Sequence, residues 1–192
     1  MHSAKFESKH VSILEDKDRK EILDVDKVID AVAPYLGNKV ADIGCGTGYF
    51  SIPISTRIHP DGEVLAIDMD KAMLERLKEN IVVQSGIRPI VSREENIPDV
   101  EDSSVDSCFV VNVLHELEGN GTLREAYRIL RPGGHLVLVD WKKVKMDFGP
   151  PYTVRIPERD AARRCRDVGF EQESTFFAGQ YNYGLLMVKP EE

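Results

Sequence analysis

Apolar and polar positions along this chain switch repeatedly between a helical period and a strand period, and the switches lay out an order of elements. Residues 1–17 read as a polar arm. From about residue 18, Val25, Val28, Ile29, Val32 and Leu36 recur at helical spacing, and Gly37 supplies a stop. Short apolar runs then predict strands: "KVADIG" from residue 39, "GEVLAID" over 62–68, "RPIVS" over 88–92, "VDSCFVVNVL" over 105–114 and "HLVLVDW" over 135–141. Helical periods lie between them. One helix opens near Thr47, with Pro53 about two turns in, which predicts a kink or a shortened helix. Another places Met73, Leu77 and Ile81 on one face. A third gathers Leu123, Ala126, Tyr127 and Leu130 before "RPGG" ends it. A Pro-rich connection covers 142–157 and a helix covers 158–168, closed by Gly169. "ESTFFAG" and "YGLLMVKP" follow as a hairpin joined across 179–182. Alternating strands and helices predict a doubly wound α/β fold. The expected sheet is seven-stranded and mainly parallel, with helices on both faces and a C-terminal antiparallel hairpin.

Length and charge narrow this picture. A chain of 192 residues is expected to form a single domain over 1–192. Its parts are an arm and helix at 1–36 as a candidate lid, a ligand-binding core at 37–141, a loop at 142–157, and a helix and hairpin at 158–192. The net charge of −8 argues against an extensive phosphate-binding face and disfavours nucleic acid as a partner. The cluster Arg163-Arg164-Cys165-Arg166, flanked by Asp160 and Asp167, reads as a solvated helix face. Cys45, Cys108 and Cys165 are odd in number and far apart, which points to a reducing cytoplasm; Cys165 alone reads as partly accessible. No segment approaches the ~20 apolar residues of a membrane span, so a soluble protein with no such span is expected. Monomer and homodimer both stay open. No metal site is expected, and "HELEG" lacks the second histidine of H-E-x-x-H.

The chemistry concentrates in "VADIGCGTGYF", residues 40–50. In a doubly wound sheet a loop after the first strand lies at the ligand, and its glycines let the backbone approach without a Cβ in the way. Asp68 ends the next strand, 24 residues after Gly44, where a carboxylate accepts hydrogen bonds from a ribose diol. A dinucleotide site calls for G-x-G-x-x-G facing a pyrophosphate. Here Tyr49 holds the sixth position, the glycine falls one residue early at Gly48, and Asp42 would set a negative charge beside the phosphates. A phosphate-free cofactor with a cationic amino-acid tail fits better, because Asp42 attracts an ammonium directly or through water. S-adenosyl-L-methionine is such a molecule.

The motifs also resemble a known superfamily in their order. "VADIGCGTGYFS", "VLAIDMDKAML", "SREENIPDVEDSSVDSCFVVNVLHEL" and "EAYRILRPGGHLVLVDW" are similar to successive motifs of class I S-adenosylmethionine-dependent methyltransferases. Within them the chain most resembles the small single-domain enzymes related to the ubiquinone/menaquinone biosynthesis methyltransferases. The resemblance implies that Gly44, Cys45, Gly46 and Gly48 wrap the methionine tail and ribose, and that Asp42 faces the amino group. It also implies that Asp68 takes the ribose hydroxyls, Met69 packs on adenine, and Asn112 and Val113 line the cofactor. Arg93 stands where the family has its acid for the adenine amino group, so either the neighbouring Glu94 takes that role with a one-residue shift or backbone amides there bind adenine unaided.

Methyl transfer from a sulfonium is an in-line displacement with a neutral leaving group, S-adenosyl-L-homocysteine. Positioning therefore carries much of the rate, and a base is needed only where the acceptor must lose a proton. His115 and Asp140, past the fourth and fifth strands, are the catalytic candidates, against plain helix-start and strand-capping roles. Tyr152, Arg155 and Tyr181 are the substrate candidates, since function concentrates in long loops. The expected activity is methyl transfer to a small-molecule acceptor. A protein or RNA methyltransferase, a non-catalytic cofactor-binding partner subunit and an NAD-dependent oxidoreductase are the rivals.

Overall fold

The computed structural model describes residues 22–81, 86–93 and 95–191. Helix α1 is Val25–Asp30, capped by the Asp24 side chain, which accepts the Lys27 N–H. It is shorter than the apolar spacing predicts. Ala33 takes a positive φ of 42° immediately before Pro34, the chain turns away there, and Leu36 ends up exposed. Strand β1 (Lys39–Ile43) leads through the glycine loop to α2 (Ser51–Ile58). Helix α2 thus opens at Ser51, not near Thr47. Pro53 falls in its first turn, where a missing N–H costs little, and the helix is shortened rather than kinked.

Strand β2 (Glu63–Asp68), α3 (Lys71–Asn80) and β3 (Ile87–Val91) complete the first half. The second half holds β4 (Val105–Val111), a 3-10 turn at Leu114–Glu116, α4 (Gly121–Ile129) and β5 (Leu130–Trp141). "RPGG" does not separate α4 from β5. The strand begins at Leu130, in register with Val105, and a bulge before the His135–Ser107 pairing absorbs Pro132 and the glycines. Helix α5 (Glu158–Arg166) precedes the hairpin β6 (Glu171–Phe176) and β7 (Asn182–Val188).

All seven strands form one sheet in the order β3-β2-β1-β4-β5-β7-β6. The first five pair in parallel, and β7 inserts antiparallel between β5 and β6. Strand order reverses between β1 and β4, so the crevice at their carboxyl ends is the topological switch point. Alternate residues of each buried strand serve opposite faces. Ala41, Ile67, Val110 and Leu138 pack beneath α4 and α5, whereas Val40, Val64, Phe109 and Val137 pack beneath α1 and α2.

Helix α5 departs from the expected solvated face. Cys165 is fully buried, and burial pushes its thiol up to about 12. The Arg164 guanidinium is half-buried and donates to Asn120 Oδ1 and to the Gly119 carbonyl, tying α5 to the segment that precedes α4. The apolar stripe Ala161, Ala162 and Cys165 carries this face inward, a pattern that the surrounding charges conceal in the sequence.

Candidate active site

The glycine loop is built by conformations that only glycine adopts cheaply, and by close packing. Gly44, Gly46 and Gly48 have φ of +78°, +54° and +96°. A Cβ on Gly44 would lie 2.3 Å from Val113 Cγ2, and one on Gly48 would lie 2.4 Å from Leu77 Cδ1. A Cβ built on Gly46 would meet no described residue within 4 Å. Two of the glycines therefore serve packing against β4 and α3, while Gly46 faces open space.

Two acids flank the loop. Asp68 Oδ2 accepts the Gly46 N–H at 2.8 Å, and Oδ1 accepts the Asp70 N–H at 2.9 Å. Burial, and after it the Asp70 charge, raises its pKa above the ordinary carboxylate value, and backbone hydrogen bonds from Asp70, Gly46 and Met69 only partly offset this. A carboxylate has about four lone-pair positions, so capacity remains for a diol. Asp42 is nearly buried on the α2 side and accepts the Ser51 hydroxyl at 2.6 Å. Cys45 is buried between these acids. Burial, followed by the charges of Asp42 and Asp68, holds its thiol far above the usual range. Met69, 45% exposed, extends from the end of β2. Glu94 lies outside the described residues. On either side of it, Arg93 and Asn96 exchange backbone hydrogen bonds of 2.9 and 2.7 Å, closing a tight turn.

The segment after β4 completes the crevice. Asn112 adopts a φ of +57°, and its N–H donates to the Val139 carbonyl at 2.8 Å. Asn182 Nδ2 donates to Asn112 Oδ1 at 2.8 Å, fixing the side chain from β7. Val113 rests against Gly44. Two residues on, the His115 N–H donates to Asp140 Oδ2 at 2.9 Å, and His115 Nδ1 lies 2.8 Å from Asp140 Oδ1. Asp140 is fully buried and also accepts the Trp141 N–H at 2.7 Å. The two catalytic candidates of the sequence are thus one hydrogen-bonded pair. Burial opposes the charged imidazole, yet the Asp140 hydrogen bond and the Asp140 and Glu116 charges outweigh it, so the pKa of His115 is raised.

The substrate candidates are arranged differently from their sequence reading. Arg155 is buried, and its Nε, Nη1 and Nη2 donate to the carbonyls of Pro150, Val144 and Phe148 at 2.7–2.8 Å. It pegs its own loop and stacks on Trp141, so its guanidinium is not presented to a ligand. The reason is physical: a loop of this length leaves carbonyls that need donors, and Arg supplies several from one centre. Tyr181 packs edge-on against Phe148 with ring centroids 4.8 Å apart, and Phe148 meets Trp141 at 6.1 Å. Tyr152 is exposed beneath the Lys143 ammonium.

Sequence reading missed Ser51 and Asn182. Leu23, Asp24 and Asp26 line a cleft of about 560 Å³ together with Thr47, Gly48 and Tyr49 of the glycine loop. The Asn182–Asn112 pair has no local signal, because only the β5–β7 register brings it together. Among the described residues no cluster of three metal-ligating side chains occurs, and no helix is long and apolar enough to cross a membrane.

A seven-stranded sheet of this order, with a glycine loop after β1 and an acid ending β2, defines a Rossmann-like methyltransferase fold. A family model described as "Methyltransferase domain" matches residues 41–138, just over half of the 192, and the chain belongs to that family. The crystal structure of a SAM-dependent methyltransferase from Aquifex aeolicus is similar to it at a TM-score of 0.90 and 28% identity, covering 96% of this chain and 100% of that one. The ubiquinone/menaquinone biosynthesis C-methyltransferase UbiE of Pasteurella multocida (strain Pm70) is 30% identical over 62% of this chain and 46% of its own length. Demethylmenaquinone methyltransferase of Staphylococcus aureus (strain JH9) is 32% identical over 54% of this chain and 43% of its own. The chain thus spans less than half the length of these two relatives. S-adenosylmethionine is the cofactor of this domain.

Proposed function

We propose that the chain transfers a methyl group from S-adenosylmethionine to a small-molecule acceptor, as a single domain. The observation that carries this reading is the Gly46–Asp68 contact beside the open space at Gly46. It sets a carboxylate suited to a ribose against a backbone that no described side chain obstructs, at the sheet's switch point. The residues fit such a cofactor. No Lys or Arg occurs in the loop at 44–50 to meet a phosphate, and two carboxylates suit a molecule with a cationic tail. When bound, the cofactor supplies an activated methyl group and a leaving sulfur.

The chain's own residues bind and orient. In this reading Asp68 takes the ribose, Met69 the adenine face, Gly44 to Gly48 the tail, and Asn112 and Val113 form the wall across the crevice. Asp42, covered by Ser51, acts chiefly through its charge. A small-molecule acceptor is favoured by the similarity to the two quinone-pathway relatives and by a net charge of −8, which argues against an extensive phosphate-binding face for RNA. Three free buried thiols favour the cytoplasm.

Calorimetric titration with S-adenosylmethionine and S-adenosylhomocysteine tests the reading. Both are expected to bind with micromolar affinity, as enzyme cofactors do, and Asp68→Ala is expected to weaken both by at least about tenfold. Well-folded protein that binds neither would refute it.

A further inference from the structure

The His115–Asp140 pair is built more carefully than a strand cap requires. Asp140 Oδ2 holds the His115 backbone and Oδ1 holds its ring, so one carboxylate fixes both the turn and the imidazole. With Nδ1 engaged by Asp140, Nε2 is the nitrogen left to act. It has no hydrogen-bond partner among the described residues; Glu116 Oε1, at 3.7 Å, is beyond hydrogen-bond reach. The pair stands at the carboxyl ends of β4 and β5, and Val113, two residues before His115, touches Gly44 of the cofactor loop. The Glu116 carboxyl senses the charge of Asp68 on the far side of the crevice. A buried histidine serving only to pin a turn would have no use for a second ring nitrogen that makes no hydrogen bond among the described residues and has only the Glu116 carboxylate, at 3.7 Å, for company.

We propose that His115 is the general base of the transfer, with Asp140 as its positioning residue, and that the acceptor carries a hydroxyl of phenolic or enolic acidity. This rests on the cofactor-site reading above. The step balances as follows. The acceptor O–H proton passes to His115 Nε2, the oxygen–carbon bond forms as the carbon–sulfur bond breaks, and the sulfur keeps the electron pair as a neutral thioether. Buried Asp140 stabilises the resulting imidazolium, which then returns its proton to solvent. Acidity sets the acceptor class, since an imidazole removes protons efficiently only from acids not far weaker than itself. The charged groups that reach the imidazole are Asp140 from β5, Glu116 from its own turn, and Arg155 from the 142–157 loop, the last opposing protonation.

The test uses the full chain, labelled S-adenosylmethionine, and para-substituted phenols graded from 4-methoxyphenol to 4-nitrophenol. Binding of the cofactor is measured separately by calorimetry. Wild type is expected to methylate the series. His115→Gln, which keeps a donor to Asp140, is expected to lose ~10²–10⁴-fold on the weakly acidic phenols. It should lose far less on 4-nitrophenol, which reaches the site already ionised. Asp140→Asn is expected to move the acid limb of the pH–rate profile to lower pH, with a lower plateau, because the imidazole loses its stabilising charge. Equal losses across the series, or none, would assign the pair a structural role and overturn the proposal. So would wild type that binds the cofactor but methylates no phenol. Protein that fails to bind the cofactor would overturn the underlying reading first.

Discussion

Arg155 offers the sharpest separation between a ligand-binding residue and a structural one. Its three hydrogen bonds to Val144, Phe148 and Pro150 are charge-assisted, each worth about 1.5–3 kcal/mol where water cannot substitute. Replacing it with Met keeps the bulk and removes all three donors. The full sum is not expected. Val144 and Phe148 are half-exposed, so the loop can release their carbonyls to water once the peg is gone. A cost of about 2–4 kcal/mol remains, and it falls on opening of the loop rather than on the sheet. That raises the open population by roughly 30- to 1,000-fold. Cleavage by trypsin after exposed Lys145, followed by mass spectrometry under native conditions, reads this population directly. Arg155→Lys, with a compact ammonium in place of the planar fork, is expected to fall between wild type and Arg155→Met. Unchanged cleavage in both variants would refute the peg. A large rise in acceptor KM with unchanged cleavage would restore the ligand role.

Three further outcomes follow from the site. Gly44→Ala combines a left-handed backbone with a Cβ at 2.3 Å from Val113, and is expected to cost about 2–4 kcal/mol in urea unfolding. Gly46→Ala carries the backbone strain alone, about 1–2 kcal/mol, so it should be the milder change in stability while still weakening S-adenosylmethionine. The raised pKa of His115 means that the folded state binds its proton more tightly than the unfolded state. Its contribution is full below about pH 6.5 and fades as pH rises through the folded value. The stability gap between wild type and His115→Gln should therefore be wider at about pH 5.5 than at about pH 9. Finally, Cys45, Cys108 and Cys165 are all buried, with Cys165 raised to about 12, so a thiol reagent should label native protein slowly and unfolded protein at once. A fast Cys165 in the native state would contradict the packing of α5.

How much of this was legible in advance depends on how local each signal is. The order of strands and helices follows from periodicity, which each segment carries by itself, and the glycine loop with Asp42 and Asp68 follows from residue types at fixed offsets. Asp68 accepts the Gly46 N–H and Asp42 the Ser51 hydroxyl, beside a loop whose glycines take positive φ. Boundaries were less legible. Helix α2 opens four residues later than its apolar pattern suggests, and β5 begins five residues earlier, because Leu130 already pairs with Val105 of β4 and "RPGG" is taken up as a bulge within the strand. Charge misled at α5, where three arginines hide a stripe of small residues.

The sequence by itself determined a Rossmann-like sheet and the chemistry of the cofactor loop, since both rest on short-range patterns. Tertiary structure alone decided which side chains meet. It joined His115 to Asp140 across 25 residues, linked Asn112 to Asn182 across 70, and turned Arg155 from the pocket into its own loop. Strand register and the demand of buried carbonyls for donors set those meetings, and neither is written at any one position of the chain.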